Sequence, residues 1–168
     1  MATSEIDTKK IFPMNNEHIN DVLAVYDKLK DLRSVKTRYT RHAIEDAALT
    51  KAQILSTRPG SELDLSFVYE IDDTVVGFVW GRLAYVGMPV ELVGFIHMII
   101  VDPDLQRKGI AKELLDTVAA RCKEKGVNTI RTVVNERDWD LSNFFHEAGF
   151  DNSGLVIYTR TIEDTEQY

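Results

Sequence analysis

The residues best equipped for chemistry lie between positions 97 and 112. Six of them, Gln106-Arg107-Lys108-Gly109-Ile110-Ala111, separate an apolar, β-branched run (Phe95-Ile96-His97-Met98-Ile99-Ile100-Val101) from a stretch of helical periodicity. The first turn of a helix carries backbone N–H groups with no intrahelical partner at the positive end of its dipole, which makes it a seat for an anion. Gly109 and Ala111 put little or no side chain in the way, and Arg107 and Lys108 add positive charge at the same spot. A basic helix start on a solvated surface explains the six residues equally well. His97 is the second candidate, because an imidazole with its ordinary pKa of about 6.5 can accept a proton near neutral pH. Among Ile96, Met98 and Ile99, it can also be a hydrogen-bonded core residue.

These side chains need a strand and a helix to hold them. The run 95–101, bounded by Asp102-Pro103, reads as a strand buried on both faces. Pro103 and Asp104 make a turn, since proline presets φ and cannot continue a ladder. From Lys108, Ala111, Leu114, Leu115, Val118, Ala119 and Cys122 recur at three and four residues, and Gly126 sits where a left-handed cap would end the helix.

Residues 1–9 read as a polar tail and 10–168 as one domain. Lys10-Ile11-Phe12 reads as a short edge strand. Asn15 or Asn16 caps a helix with Ile19, Val22, Leu23, Tyr26 and Leu29 on one stripe. A second helix from Thr40 carries Ile44, Ala47, Ala48 and Leu55 inward until Arg58-Pro59-Gly60. Period-two alternation predicts a strand over 63–71, a turn at Asp72-Asp73 and a return strand over 75–83. Gly77 and Gly81 there mark a bulge or a close approach. Tyr85–Pro89 reads as a loop, and 92–101 as the third strand of a meander. Thr129–Val134 forms a further strand, parallel through a right-handed βαβ unit. Asp140–His146 is a short helix ended by Gly149, and 155–162 supplies a last strand. The order β-α-α-β-β-β-α-β-α-β(-β) describes an α+β, three-layer α/β/α sandwich with a mixed, mostly antiparallel sheet. The meander argues against a doubly wound nucleotide-binding fold, which alternates β and α.

Composition narrows the partners. A formal charge of −7 argues against nucleic acid and is compatible with a cationic amine. No apolar stretch approaches the ~20 residues that span a bilayer. The first ten residues lack the apolar core of a signal peptide, so the cytoplasm is the expected location. Cys122 reads as core filler. His18, His42 and His146 share no ligand spacing with one another or with acids, so no metal is expected.

The hexapeptide resembles motif A of the GNAT superfamily of N-acetyltransferases, Gln/Arg-x-x-Gly-x-Gly/Ala. Gln106, Gly109 and Ala111 fill its defined positions and Val101-Asp102-Pro103 precedes them as the family usually has it. A second landmark, a helix with Asn-x-x-Ala-x-x-Leu/Phe-Tyr-x-x-x-Gly-Phe, is matched at its end by Phe144, Gly149 and Phe150. Asp138, Leu141 and Phe145 stand where that pattern has asparagine, alanine and tyrosine.

The resemblance implies acetyl-CoA as donor and a primary amine as acceptor: a small amine, a protein lysine or a protein N-terminus. It implies a pyrophosphate seat on the backbone of Arg107, Lys108, Gly109, Ile110, Ala111 and Lys112, next to Gln106. The pantetheine arm would pair with the main chain of Ile99, Ile100 and Val101 where two parallel strands splay, and Asn143 would face the coenzyme. His97, at a position where some members carry a catalytic base, is the expected base, with Glu91 as the next candidate. Phe145 cannot protonate a leaving thiolate, so Tyr158, Tyr85 or water would substitute. That departure also leaves room for an acyl-CoA-binding regulatory or scaffold role without turnover. Asp31, Tyr39, Trp80, Glu91 and Trp139 are conceivable acceptor-pocket residues. Homodimerisation is an expectation from the family, though no stretch of the sequence marks an interface.

Overall fold

The computed structural model describes residues 9–30, 51–160 and 162. Asp72 and Asp73, both at positive φ (50° and 62°), make the two-residue turn whose twist suits a hairpin. They join β2 (Phe67–Ile71) to β3 (Thr74–Val86), with Ile71 opposite Thr74 and Phe67 opposite Val79. β1 (Lys9–Pro13) flanks β2, and β4 (Glu91–Val101) runs antiparallel to β3. β5 (Ile130–Thr132) lies parallel to β4, giving a mixed five-stranded sheet in the order β1-β2-β3-β4-β5. That parallel pair requires a crossover, supplied by helix α3 (Ile110–Glu124).

Alternation along the strands splits the core into two layers. On one face α1 (Ile19–Lys30) and α2 (Lys51–Ser56) bury Ile19, Val22, Tyr26 and Ile54 against Val68, Phe78 and Ile100. On the other, Leu114, Leu115, Val118 and Cys122 of α3, with Phe145 of α4 (Trp139–Glu147), cover Phe67, Tyr69, Val79 and Ile96. Each such large side chain contributes roughly 1.5–3 kcal/mol on burial. Cys122 is 2% exposed and burial pushes its thiol pKa up, as suits a core filler. The three-layer α+β sandwich is the one the sequence implies.

Four local expectations change. Ile54, not Leu55, points inward: Leu55 is 39% exposed and Ile54 1%. β3 continues to Val86, so the expected loop at 85–89 shortens, and β5 ends at Thr132 instead of Val134. No strand forms over 155–160. Asn152 and Ser153 side chains accept from the N–H groups of Gly154 and Leu155, turning the chain locally. Leu155, Val156, Ile157 and Tyr158 are left exposed. Alternation proposes a strand, but only a ladder partner makes one, and none is present among the described residues. The helix expected from Thr40 lies outside the described residues up to position 50. No helix among the described residues is long and apolar enough to cross a membrane.

Gly94 sets the distance between sheet and α3. A Cβ built there would lie 2.6 Å from Cys122 Sγ and 3.1 Å from Leu65 Cδ1. Overpacking of this kind costs typically 1–3 kcal/mol. Gly94→Ala should therefore lower the denaturation midpoint in urea by an amount equivalent to about 1–3 kcal/mol. An unchanged midpoint would mean that α3 shifts freely against β4.

Candidate active site

The site begins where two strands part. β4 and β5 pair only over Gly94–Ile130, Phe95–Arg131 and Ile96–Thr132. The Thr132 hydroxyl donates to the Ile96 carbonyl at 3.0 Å, closing the last rung. β4 then runs on through Ile99, Ile100 and Val101 with no partner on that side among the described residues. Its unpaired N–H and C=O groups line a wedge in the sheet, an edge able to pair with an extended, amide-bearing ligand.

The wedge opens toward the start of α3. Asp102 follows β4, its side chain accepting from Asp104 N–H (3.0 Å) and from Lys28 Nζ of α1 (2.8 Å). The lysine hydrogen bond holds the Asp102 carboxyl below the usual carboxylate range. A single 3-10 turn, Pro103–Leu105, leads to Gln106, whose amide reaches the Val101 carbonyl at 3.4 Å. Arg107 (φ 65°) and Gly109 (φ 83°) both take left-handed backbone, and Gly109 is the N-cap of α3 without any side-chain cap. The first helical bond runs from Glu113 N–H to Gly109 C=O (3.0 Å). The N–H groups of Gly109, Ile110, Ala111 and Lys112 thus have no helical acceptor. A Cβ at Gly109 would meet nothing within 4 Å, so the surface above this turn is open. Open surface, unbonded amides and an adjacent wedge fit the pyrophosphate and pantetheine of a coenzyme A thioester.

His97 lies at the mouth of the wedge, one residue beyond the last β4–β5 pair. The ladder between β3 and β4 slips here: Trp80 faces Met98 and Gly81 faces Ile96, leaving His97 as the extra residue of a bulge. Bulges re-aim side chains. The imidazole is exposed, not core, with its ring 4.8 Å from Trp80 and 5.2 Å from Phe95. One flank lies against these rings while the rest meets solvent. This partial burial lowers its pKa below 6.5, and the nearby Arg82 charge lowers it further. Trp80 is half-buried and tethered to the end of α2 by a 3.0 Å bond from its indole to Thr57. Gly81 permits the close passage, since a Cβ there would lie 2.9 Å from the Phe95 carbonyl. Gly81 marks this irregularity in the sequence, whereas nothing there singles out Arg82.

The remaining candidates scatter. Glu91 begins β4, six residues and about 20 Å of strand from His97. Its carboxylate accepts from Arg131 (2.8 Å) and Thr129 (3.0 Å), a cross-strand tie that the structure does not bring to the wedge. Asn143 is exposed on α4. Asp138 is 7% exposed and caps α4, accepting from Leu141 N–H at 3.2 Å. Phe145 is 5% exposed, its ring 5.2 Å from Phe144 and 5.0 Å from Phe150. Tyr85, Trp139 and Tyr158 are exposed. Asp31 and Tyr39 lie outside the described residues. Among the described residues no group of three or more His, Cys, Asp or Glu gathers at metal-holding distance.

The acetyltransferase (GNAT) family matches residues 26–150. A mycothiol acetyltransferase of Brachybacterium faecium is 27% identical over 121 residues, covering 71% of this chain and 36% of its own. The chain thus spans well under half the length of the curated relatives it matches. The aminoglycoside N-acetyltransferase AAC(6')-Iy in complex with CoA superposes with a TM-score of 0.66 at 21% identity, over 95% of this chain and 99% of that one. The same enzyme with a bisubstrate analogue, CoA-S-monomethyl-acetylneamine, gives 0.63 at 22%, over 92% and 99%. At such identities the likeness is one of fold. With the family match spanning most of its length, and the motif-A turn set beside a splayed parallel pair, the chain belongs to the acetyltransferase (GNAT) family.

Proposed function

We propose that this chain is an acetyl-CoA-dependent N-acetyltransferase acting on a primary amine by direct attack within a ternary complex. The observation that carries the proposal is the parting of β4 from β5 beyond Ile96, directly beside the open first turn of α3. Acetyl-CoA, when bound, supplies a thioester carbonyl as electrophile. The amides of Arg107 to Lys112 donate to the pyrophosphate, and Gln106 steadies their loop through Val101. The β4 edge at Ile99, Ile100 and Val101 pairs with the pantetheine amides, and Asn143 approaches from α4. A β4 backbone N–H near the bulge donates to the thioester oxygen as negative charge grows there, worth about 3 kcal/mol of barrier.

His97 takes the proton that the amine gives up as its nitrogen bonds to the carbonyl carbon. The C–S bond then breaks and sulfur leaves with the electron pair. A thiol pKa of about 8.5 makes this thiolate an acceptable leaving group without a positioned acid. Water can then return the proton. The names of the relatives, mycothiol and aminoglycoside acetyltransferases, support a small-molecule acceptor over a protein one. Glu91, tied to Arg131 and Thr129, is the weaker base candidate.

One observation favours a second reading, an acyl-CoA-binding module without turnover: the position of the usual tyrosine holds Phe145, packed among Phe144 and Phe150 with no hydroxyl. Thiol release from acetyl-CoA over a panel of amines separates the two. We expect stoichiometric thiol and N-acetyl product with at least one small amine. Calorimetric binding of acetyl-CoA with no release across the panel would favour the second reading. Absence of any binding, or tighter binding of ATP or NAD, would overturn both.

A further inference from the structure

Arg82 is the charged group that the acyl transfer leaves unexplained. It lies on β3 opposite Phe95, two residues after Trp80, and so shares the face of the sheet on which Trp80, Phe95 and His97 meet. Its side chain is half-buried, and Nε is fully buried with no hydrogen-bond partner. It is the one buried side-chain nitrogen or oxygen among the described residues left in that state. Among the described residues no acid pairs with it. Asp64, its partner across an isolated bridge, spends its carboxylate on the N–H groups of Gly60 (2.8 Å) and Ser66 (3.1 Å). Neither ring packed on His97 stacks against the guanidinium. A buried guanidinium N–H without an acceptor is costly, and an acceptor brought by a ligand would relieve that cost.

We propose that Arg82 anchors a carboxylate on the acceptor, so that the acceptor is an amino acid or similar amino-carboxylate, held with its amine toward His97. The assignment rests on the acetyl transfer proposed above. The guanidinium fork matches a carboxylate in geometry and charge. Among the described residues Arg82 is the one permanent positive charge in this cluster, and burial followed by the Arg82 charge disfavours the cationic form of His97. One positive charge balances one carboxylate; a phosphate dianion would be left half-neutralised with Asp64 nearby. The aromatic floor of Trp80 and Phe95 further favours an apolar or aromatic body between the two polar ends.

The test compares each of glycine, β-alanine and phenylalanine with its own carboxamide, by thiol release and by calorimetric titration onto the CoA-loaded protein. A net charge of −7 attracts the more cationic amide over long range, so a preference for the acid reports a local site. We expect at least one acid to be preferred over its amide by about ten- to hundred-fold, mainly through KM. Arg82→Gln should bring that ratio to about one, and Arg82→Lys should restore part of it, with acetyl-CoA affinity reporting that both variants fold. If nothing turns over but an acid binds the wild type and not Arg82→Gln, the carboxylate subsite stands and acetyl transfer fails. Equal binding of every acid and its amide, or a preference that survives Arg82→Gln, overturns the proposal.

Discussion

Gly109→Val should weaken acetyl-CoA binding by a hundredfold or more while leaving the protein folded. Gly109 holds φ at 83°, a region that costs a β-branched residue of order 1–3 kcal/mol. No protein atom lies within 4 Å of the new Cβ, so the fold itself meets no clash. The chain can escape the strain only by rotating the peptide that sets the direction of the first α3 amides, and any valine that stays put projects into the space a diphosphate would fill. Hydrogen bonds to charged groups are worth about 1.5–3 kcal/mol each, so losing even two exceeds a hundredfold. Calorimetry with acetyl-CoA measures the loss, and circular dichroism checks the fold. Unchanged affinity with unchanged structure would put the diphosphate elsewhere.

His97→Ala should lower kcat by about 10²- to 10⁴-fold, the usual worth of a positioned general base. The pH dependence gives the sharper signature. Partial burial first, and Arg82 second, hold the His97 pKa below 6.5. A base works in its neutral form, so the wild-type rate should hold steady as pH falls to that lowered value and drop below it. The alanine variant should lack this limb, while the acceptor amine's own titration at higher pH stays common to both proteins. Acetyl-CoA affinity serves as the control, because the alanine also removes the ring packed on Trp80 and Phe95. A variant that keeps the acidic limb would remove His97 from the proton transfer.

The legibility of these features in the sequence follows a physical line. Periodicity found the α3 stripe and the β2–β3 hairpin, since each reports a local period and a local turn: Leu114, Val118 and Cys122 are buried, and Asp72-Asp73 turns the chain. The motif-A loop was readable for the same reason, its glycine fixing a backbone conformation within a few residues. Non-local properties were not readable. Whether 155–160 becomes a strand depends on an available edge, and alternation says nothing about that. The flanking Ile96 and Met98 suit His97 to the core; the slip of register against Gly81 exposes it. Arg82 and His97 are fifteen positions apart in the chain, and only the pairing of β3 with β4 makes them neighbours. Glu91 shares a strand with His97, and the extended chain sets it about 20 Å away at the start of β4.

The central claim is that one ligand occupies both the β4 edge and the first turn of α3. Amide hydrogen exchange, followed residue by residue with and without CoA, tests it most directly. The prediction is new protection confined to two stretches, Arg107–Lys112 and the β4 amides between His97 and Val101. Protection gathered instead at the groove lined by Phe12, Met14, His18 and Glu70, or absent from both stretches at saturating CoA, would contradict it.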